Sequence, residues 1–349
     1  MCSFCSLALL IFALLPDFVE LSSFVIRGPV YWFFSLLGIY LFILQIEKRG
    51  DLLILFSSIS FIMGTWARIE GTLFIIVSVG YLLVIKQEEM KRRLFFFLLP
   101  LFFLSLPVIG YMLIFNGEHL TLFDSRILTM PANVVLGYQE LREKLGGLAE
   151  QNITDISPYF ISRIRSLIWL IALGTLCVQI TETFFYFFFP VFLYGVVGSK
   201  EKIQKDLRLA YLSFLSVAAI LLLYAQILYN WVMVSRFVAL FIFPAYVFAG
   251  FGLEKIADTL AKRINREKSA VYAILCLLIL LIALPKTLGA SYEKDKLIFK
   301  AMGQLIADRE DHSRKISVAG SFKRVSLIYF YGNLDYQGAP CFDEDSILN

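Results

Sequence analysis

Charge is scarce in this chain. Only 17% of the 349 residues are Asp, Glu, Lys or Arg, 59% are hydrophobic and 34 are Phe, whereas soluble domains carry about 25% charge. Such a composition excludes a water-soluble globular domain and predicts an all-α polytopic membrane protein. Histidine is nearly missing: His119 and His312 stand alone, with neither an HExxH motif nor a second ligand nearby, so no metal site is expected. The five cysteines, Cys2, Cys5, Cys177, Cys276 and Cys341, are odd in number and scattered. Cys2 and Cys5 form a CxxC, but with no second pair and no neighbouring histidine it supports neither zinc nor a redox centre. No GxGxxG or P-loop occurs, which removes the nucleotide cradles, and no cofactor is expected. The net charge of +4 is spread through short loops. Without a basic stripe it implies no nucleic-acid partner. A basic n-region is also missing before the apolar Leu7 to Leu15, so the start reads as a helix entered partway through.

What is abundant is apolar runs. Nine could span a bilayer: Phe4–Leu15, Val30–Ile46, Leu52–Trp66, Thr72–Ile85, Leu94–Phe115, Phe184–Val197, Leu207–Leu228, Phe237–Leu253 and Ala270–Leu284. Several fall short of the roughly 20 residues a bilayer requires, so they must borrow loop residues or tilt little. A tenth, Ile164–Ile180, is apolar enough to compete, and charge decides against it. With that run in the interface, one set of loops holds Lys48 and Arg49; Lys86, Lys91, Arg92 and Arg93; Lys200, Lys202, Lys205 and Arg208; and Lys255, Lys262, Arg263, Arg266 and Lys268. The opposite short loops hold a single arginine each, Arg27, Arg68 and Arg236. The basic loops are therefore expected to be cytoplasmic and the tail external, in a multi-pass protein of the cell inner membrane. All four tryptophans, Trp32, Trp66, Trp169 and Trp231, then fall near the external interface, although the charge pattern was read without them.

The expected organisation is five transmembrane helices in 1–115, an external loop and interfacial helix in 116–182, four further transmembrane helices in 183–284, and a small external α/β tail in 285–349. The loop contains a helical pattern from Asn133 to Leu148 and a glycosylation sequon at Asn152. In the tail, Leu297, Ile298, Ala301, Met302, Leu305 and Ile306 form a helical stripe, followed by strand-like runs at Ile316–Ala319 and Val325–Tyr331.

Candidate site residues lie in the arginine-bearing turns. Leu52 to Trp66 makes about 22 Å of helix against a hydrocarbon core of about 30 Å, which draws Arg68 and Glu70 into the membrane edge. Charges at that depth face a cavity, a partner or a substrate. At i and i+2 the two would not face each other on a regular helix. Two readings stay open: Arg68 addresses an anionic headgroup and Glu70 a cation or a substrate hydroxyl, or the two enter a buried ion pair with another loop. Arg236, before Phe237, offers a rigid donor fork suited to phosphate, or else snorkels to ordinary headgroups. Arg27, in Arg27-Gly28-Pro29, is a weaker version of the same signal. Asp17 and Glu20, after Pro16, are either a candidate base or a solvated loop.

At these positions the chain resembles the bacterial C-type membrane glycosyltransferases, the superfamily of the dolichyl-phosphate-mannose protein mannosyltransferases and the aminoarabinose transferase of lipid A. The matching pieces are the Pro16 to Pro29 loop, Ala67-Arg68-Ile69-Glu70-Gly71 against a family Thr-Arg-x-Glu-Gly, and Ser235-Arg236-Phe237 against a family Arg-Tyr. The Leu284-Pro285-Lys286-Thr287-Leu288 segment, the helix at Lys300-Ala301-Met302-Gly303 and Tyr329-Phe330-Tyr331-Gly332 resemble the family tail. The family has Glu where this chain has Gly28 and Tyr where it has Phe237. Its N-terminal acidic motif has no counterpart here, so the chain resembles the C-terminal two-thirds of such an enzyme, from a truncated gene or a misplaced start.

The resemblance implies sugar transfer from a polyprenyl-phosphate sugar to a glycan, lipid or protein acceptor at the external face, in the service of the cell envelope. In that scheme Arg68 and Arg236 would hold the lipid phosphate, Arg27 would contribute to substrate binding, and Glu70 would orient Arg68 or the acceptor. The family base is missing, leaving Glu70, Asp17 and Glu20 as weak candidates. The alternatives are a transporter or flippase for lipid-linked sugars, or a non-catalytic membrane subunit. The span centres are almost without charge and no internal repeat is visible, which weighs against transport.

Overall fold

The computed structural model describes residues 13–16, 18–19, 28–84, 90–114, 130–150, 158–231, 233, 235–290, 294–309 and 328. Among them every regular element is a helix. The chain divides into one unit over Met1–Thr287 and a second over Leu288–Asn349. The first contains α1 (Gly28–Lys48), α2 (Asp51–Ala67), a short turn of helix (Ile69–Gly71), α3 (Thr72–Val84), α4 (Met90–Ile114), α5 (Met130–Glu150) and α6 (Pro158–Thr183). It continues through α7 (Phe188–Gly198), α8 (Lys200–Lys205), α9 (Leu207–Asn230), α10 (Ser235–Ile264) and α11 (Lys268–Ala290), whose last residues pass into the second unit. The second unit contributes α12 (Lys294–Arg309), the helix expected from the stripe at Leu297 to Ile306. Of the two expected strands, Ile316–Ala319 and most of Val325–Tyr331 lie outside the described residues, and Ile328 is helical.

Among the described residues five helices are long and apolar enough to cross a membrane: Gly28–Lys48, Tyr159–Thr183, Leu207–Tyr229, Ser235–Ile264 and Lys268–Thr287. That is consistent with a membrane protein. The expected nine includes Phe4–Leu15, most of which lies outside the described residues. Helices α2, α3 and α7 have 17, 13 and 11 residues, and at ~1.5 Å per residue none reaches the ~30 Å of a hydrocarbon core. Helix α6 covers Ile164–Ile180, the run expected to lie along the surface, and has the length and apolarity of a span. Its buried stripe, Ile168, Ala172, Leu176 and Ile180, is narrow. The Tyr224 hydroxyl near the end of α9 donates to the Trp169 carbonyl (3.1 Å), and Gln179 donates to Ser235 Oγ at the start of α10 (3.3 Å). Both contacts fall within two turns of the point where α9 and α10 join.

Packing in this unit depends on small residues, because apolar helices in lipid gain from close contact rather than from escaping water. A Cβ on Gly38 would lie 2.5 Å from the Phe61 ring, and the Ser57 hydroxyl donates to the Gly38 carbonyl at 2.8 Å, so α1 and α2 lie almost backbone to backbone. Helices α7 and α10 go further. A Cβ on Gly195 would meet the Phe248 carbonyl oxygen at 1.8 Å, and one on Gly252 the Val191 oxygen at 2.0 Å. Elsewhere aromatic rings fill the interior: Phe42 stacks on Tyr211 (4.3 Å between centroids) and Phe61 on Phe74 (5.7 Å). The Ser78 and Tyr211 hydroxyls satisfy each other at 2.8 Å.

Alternating helix directions give the unit two ends. One carries the C-terminus of α1, the α10–α11 connection and the starts of α2, α4 and α9, and holds the clustered lysines and arginines. The other carries the start of α1, the α2–α3 turn and the α9–α10 turn, with Arg68, Glu70 and Arg236.

Candidate functional site

Helix α2 ends at Ala67 because Arg68 leaves the helical region, adopting extended backbone at φ −151° and ψ 129° while its N–H still donates to the Gly64 carbonyl at 2.9 Å. One tight turn follows, closed by Gly71 N–H to the Arg68 carbonyl (3.0 Å) and by the Thr72 hydroxyl to the Ile69 carbonyl (2.7 Å). Gly71 is required by space: a Cβ there would lie 2.9 Å from the Thr65 nitrogen.

This break in the helix brings Arg68 and Glu70 together. Arg68 Nη2 donates to Glu70 Oε1 at 2.7 Å and Nε to Oε2 at 3.3 Å, a two-point pair whose side chains are 16% and 20% exposed. The expectation that these residues address separate partners is thus corrected, and so is the alternative of pairing with another loop. Regular helical geometry forbids an i, i+2 contact. An extended residue followed by a tight turn does not.

The α9–α10 turn approaches the same place. Asn230 ends α9, and Trp231 takes left-handed backbone (φ 55°) with its N–H on the Ile227 carbonyl at 2.8 Å. After the turn, Phe237 presents its ring to two guanidinium groups, with Arg68 Cζ at 5.0 Å from the centroid and Arg236 Cζ at 5.2 Å. The two cations are therefore separated by no more than the sum of those distances, although 168 positions apart in sequence. Both distances are within cation–π range. Arg236 is exposed and, among the described residues, has no ion-pair partner, whereas Arg68 is held by Glu70.

Among the described residues, three of the four buried polar atoms without a partner lie at this end, the fourth being Gln45 Oε1 near the C-terminus of α1. The Tyr31 hydroxyl, one turn into α1 in a residue 1% exposed, and the Ser35 hydroxyl one turn further lie close together, yet neither has a partner of hydrogen-bond geometry. The indole N–H of Trp231 is likewise buried and unpartnered. None of these was singled out in the sequence as a site residue, since an isolated Tyr or Ser in an apolar run carries no motif. The tryptophans divide: Trp66 and Trp169 are exposed, and Trp32 and Trp231 pack inward.

Arg27, Asp17 and Glu20 lie outside the described residues. Phe18, between the two acids, packs on Trp32 (4.8 Å between centroids) and Phe243 (6.1 Å). Among the described residues no three His, Cys, Asp or Glu side chains come together as a metal site.

Comparison with known proteins finds no matching family model, no similar curated protein and no similar solved structure.

Proposed function

We propose that this protein is a membrane glycosyltransferase of the polyprenyl-phosphate-sugar type, working at the external face of the inner membrane with Arg68 and Arg236 on the donor phosphate. The observation that carries the reading is the approach of both guanidinium groups to the Phe237 ring. Two guanidinium groups near one aromatic ring bring together donors of the kind that suit a phosphate. When the sugar leaves, charge grows on that phosphate, and fixed cations favour this state over the ground state. A carboxylate base deprotonates the acceptor hydroxyl, which attacks the anomeric carbon with inversion. Glu70 has both oxygens on Arg68, so its role is to orient that arginine. Asp17 and Glu20 are the remaining candidates for the base.

The same use of Glu70 favours one second reading, a protein that binds lipid-linked sugar without turning it over. Purified protein supplied with polyprenyl-phosphate sugars and acceptors tests both. Turnover that falls by about 10²-fold in Arg68→Ala and Arg236→Ala supports the transferase. Arginine-dependent binding without turnover supports the second reading. Turnover indifferent to both substitutions removes the phosphate site.

A further inference from the structure

We propose that the indole N–H of Trp231 is a further donor of the phosphate site, fixed and uncharged beside the two arginines, and that the group it binds is a phosphate oxygen. The proposal rests on the reading of Arg68 and Arg236 as phosphate ligands and adds a residue to it. Two independent observations meet at Trp231. The first is its backbone, which at φ 55° stands in the left-handed region at the end of α9, with its N–H on the Ile227 carbonyl at 2.8 Å. Side chains with a Cβ are disfavoured there, bulky ones most of all, and glycine ordinarily fills such a helix end. The second is its side chain: the indole nitrogen is buried and has no hydrogen-bond partner. A buried tryptophan N–H usually finds one.

Neither feature helps the protein on its own. Glycine would make the same turn without strain, and phenylalanine would fill much of the same space without an orphaned donor. A place in an interfacial belt does not account for the residue either, because a belt tryptophan keeps its N–H wet. Trp66 and Trp169, 57% and 49% exposed, suit that role, and the buried nitrogen of Trp231 does not. Strained backbone and unpartnered buried donors gather where a ligand supplies the compensation.

The donor defines the chemistry of its partner. An indole only donates, so the partner is an acceptor. Trp231 opens the turn whose far side carries Arg236 and Phe237, the ring that both guanidinium groups approach. An acceptor drawn to two cations is an anion, and phosphate oxygens accept from indole and guanidinium alike. Arg236 is exposed, on a long side chain that must be ordered each time a ligand binds. The indole has few rotatable bonds and is already packed against the core. It adds direction rather than charge: the cations draw the phosphate in, and the N–H fixes which way it faces.

The full-length protein in phosphatidylcholine nanodiscs, with its indole nitrogens isotopically labelled, tests this by titration with a polyprenyl monophosphate and separately with inorganic phosphate. The Trp231 N–H resonance is identified by its loss in Trp231→Phe. Bound monophosphate is expected to move that resonance downfield, and Trp231→Phe is expected to bind it about tenfold more weakly. That loss should be the same at low and high salt, whereas the loss from Arg236→Ala should shrink as salt screens the exposed charge. A resonance moved by inorganic phosphate as well assigns the phosphate group itself as the ligand, one moved only by the lipid assigns the lipid-borne phosphate, and both uphold the donor. A resonance that stays in place while Arg68→Ala abolishes monophosphate binding overturns the proposal and leaves the arginine site standing. Monophosphate binding undiminished in folded Arg68→Ala and Arg236→Ala proteins overturns the phosphate site, and the proposal with it.

Discussion

At the lysine-rich end of the bundle, Arg92 pairs with Asp51, Arg208 with both Asp206 (2.9 Å) and Glu47 (3.3 Å), Lys202 with Glu254 (3.8 Å) and Lys268 with Asp258 (2.6 Å). Most of these side chains are a third or more exposed. At the opposite end the turns offer Arg68, Glu70 and Arg236, and the Arg68–Glu70 pair is mostly buried. Many exposed, interchangeable pairs orient a chain and tie helix ends, and each contributes little because water and salt screen it. A few charges gathered on one ring, beside unpartnered hydroxyls, suit a ligand instead.

The largest expected effect is all or none. Single cysteines in place of Arg236 and Lys262, one at each end, should label from opposite sides of a sealed membrane. Labelling of both from one side would break the comparison at its root. Next comes Arg68→Ala, which leaves the Glu70 carboxylate partly buried without its partner. It should lower unfolding stability by about 1–3 kcal/mol, read as a shift in thermal midpoint in detergent.

A smaller loss is expected from Asp206→Ala, which removes the cap of α9, where the Asp206 carboxylate accepts from the Arg208 N–H at 2.9 Å. The cost is about 0.5–2 kcal/mol. The Arg208 side chain, hydrogen-bonded to Asp206, holds that carboxyl below the usual carboxylate range. With the folded value below the unfolded one, this contribution is complete above ~3.9 and is lost as pH falls through the folded value. Acid titration of the wild type against Asp206→Ala should show the difference close in that window. Arg92→Ala, at an exposed pair on the same end, should change stability by no more than about 1 kcal/mol and leave phosphate binding unchanged. A loss matching that of Arg68→Ala would erase the contrast between the ends.

Much of this contrast was legible in the sequence. The isolated arginines stand out against the clustered basic residues, which marks the turns that carry Arg68, Glu70 and Arg236. Their mutual arrangement was not legible. The i, i+2 spacing excludes an Arg68–Glu70 contact on a regular α-helix, and the extended backbone of Arg68 followed by the tight helical turn at Ile69–Gly71 removes that exclusion. Phe237 carries no signal in the sequence beyond standing where the resembled family has tyrosine, and it is the ring both cations approach. Tyr31 and Ser35 left no signal, since nothing local marks a hydroxyl whose partners are missing in three dimensions.

By itself the sequence determined that the chain is helical and apolar enough for a membrane, which residues are charged, and that those charges fall into a dense set and a sparse one. Composition and periodicity act locally, residue by residue, and survive without knowledge of neighbours. Only the tertiary structure decided that the α2–α3 and α9–α10 turns meet at Phe237, that Glu70 holds Arg68, and that α7 lies against α10 through Gly195 and Gly252. These are contacts between segments distant in sequence, selected by which helix faces can approach most closely, and that selection belongs to the packed bundle as a whole.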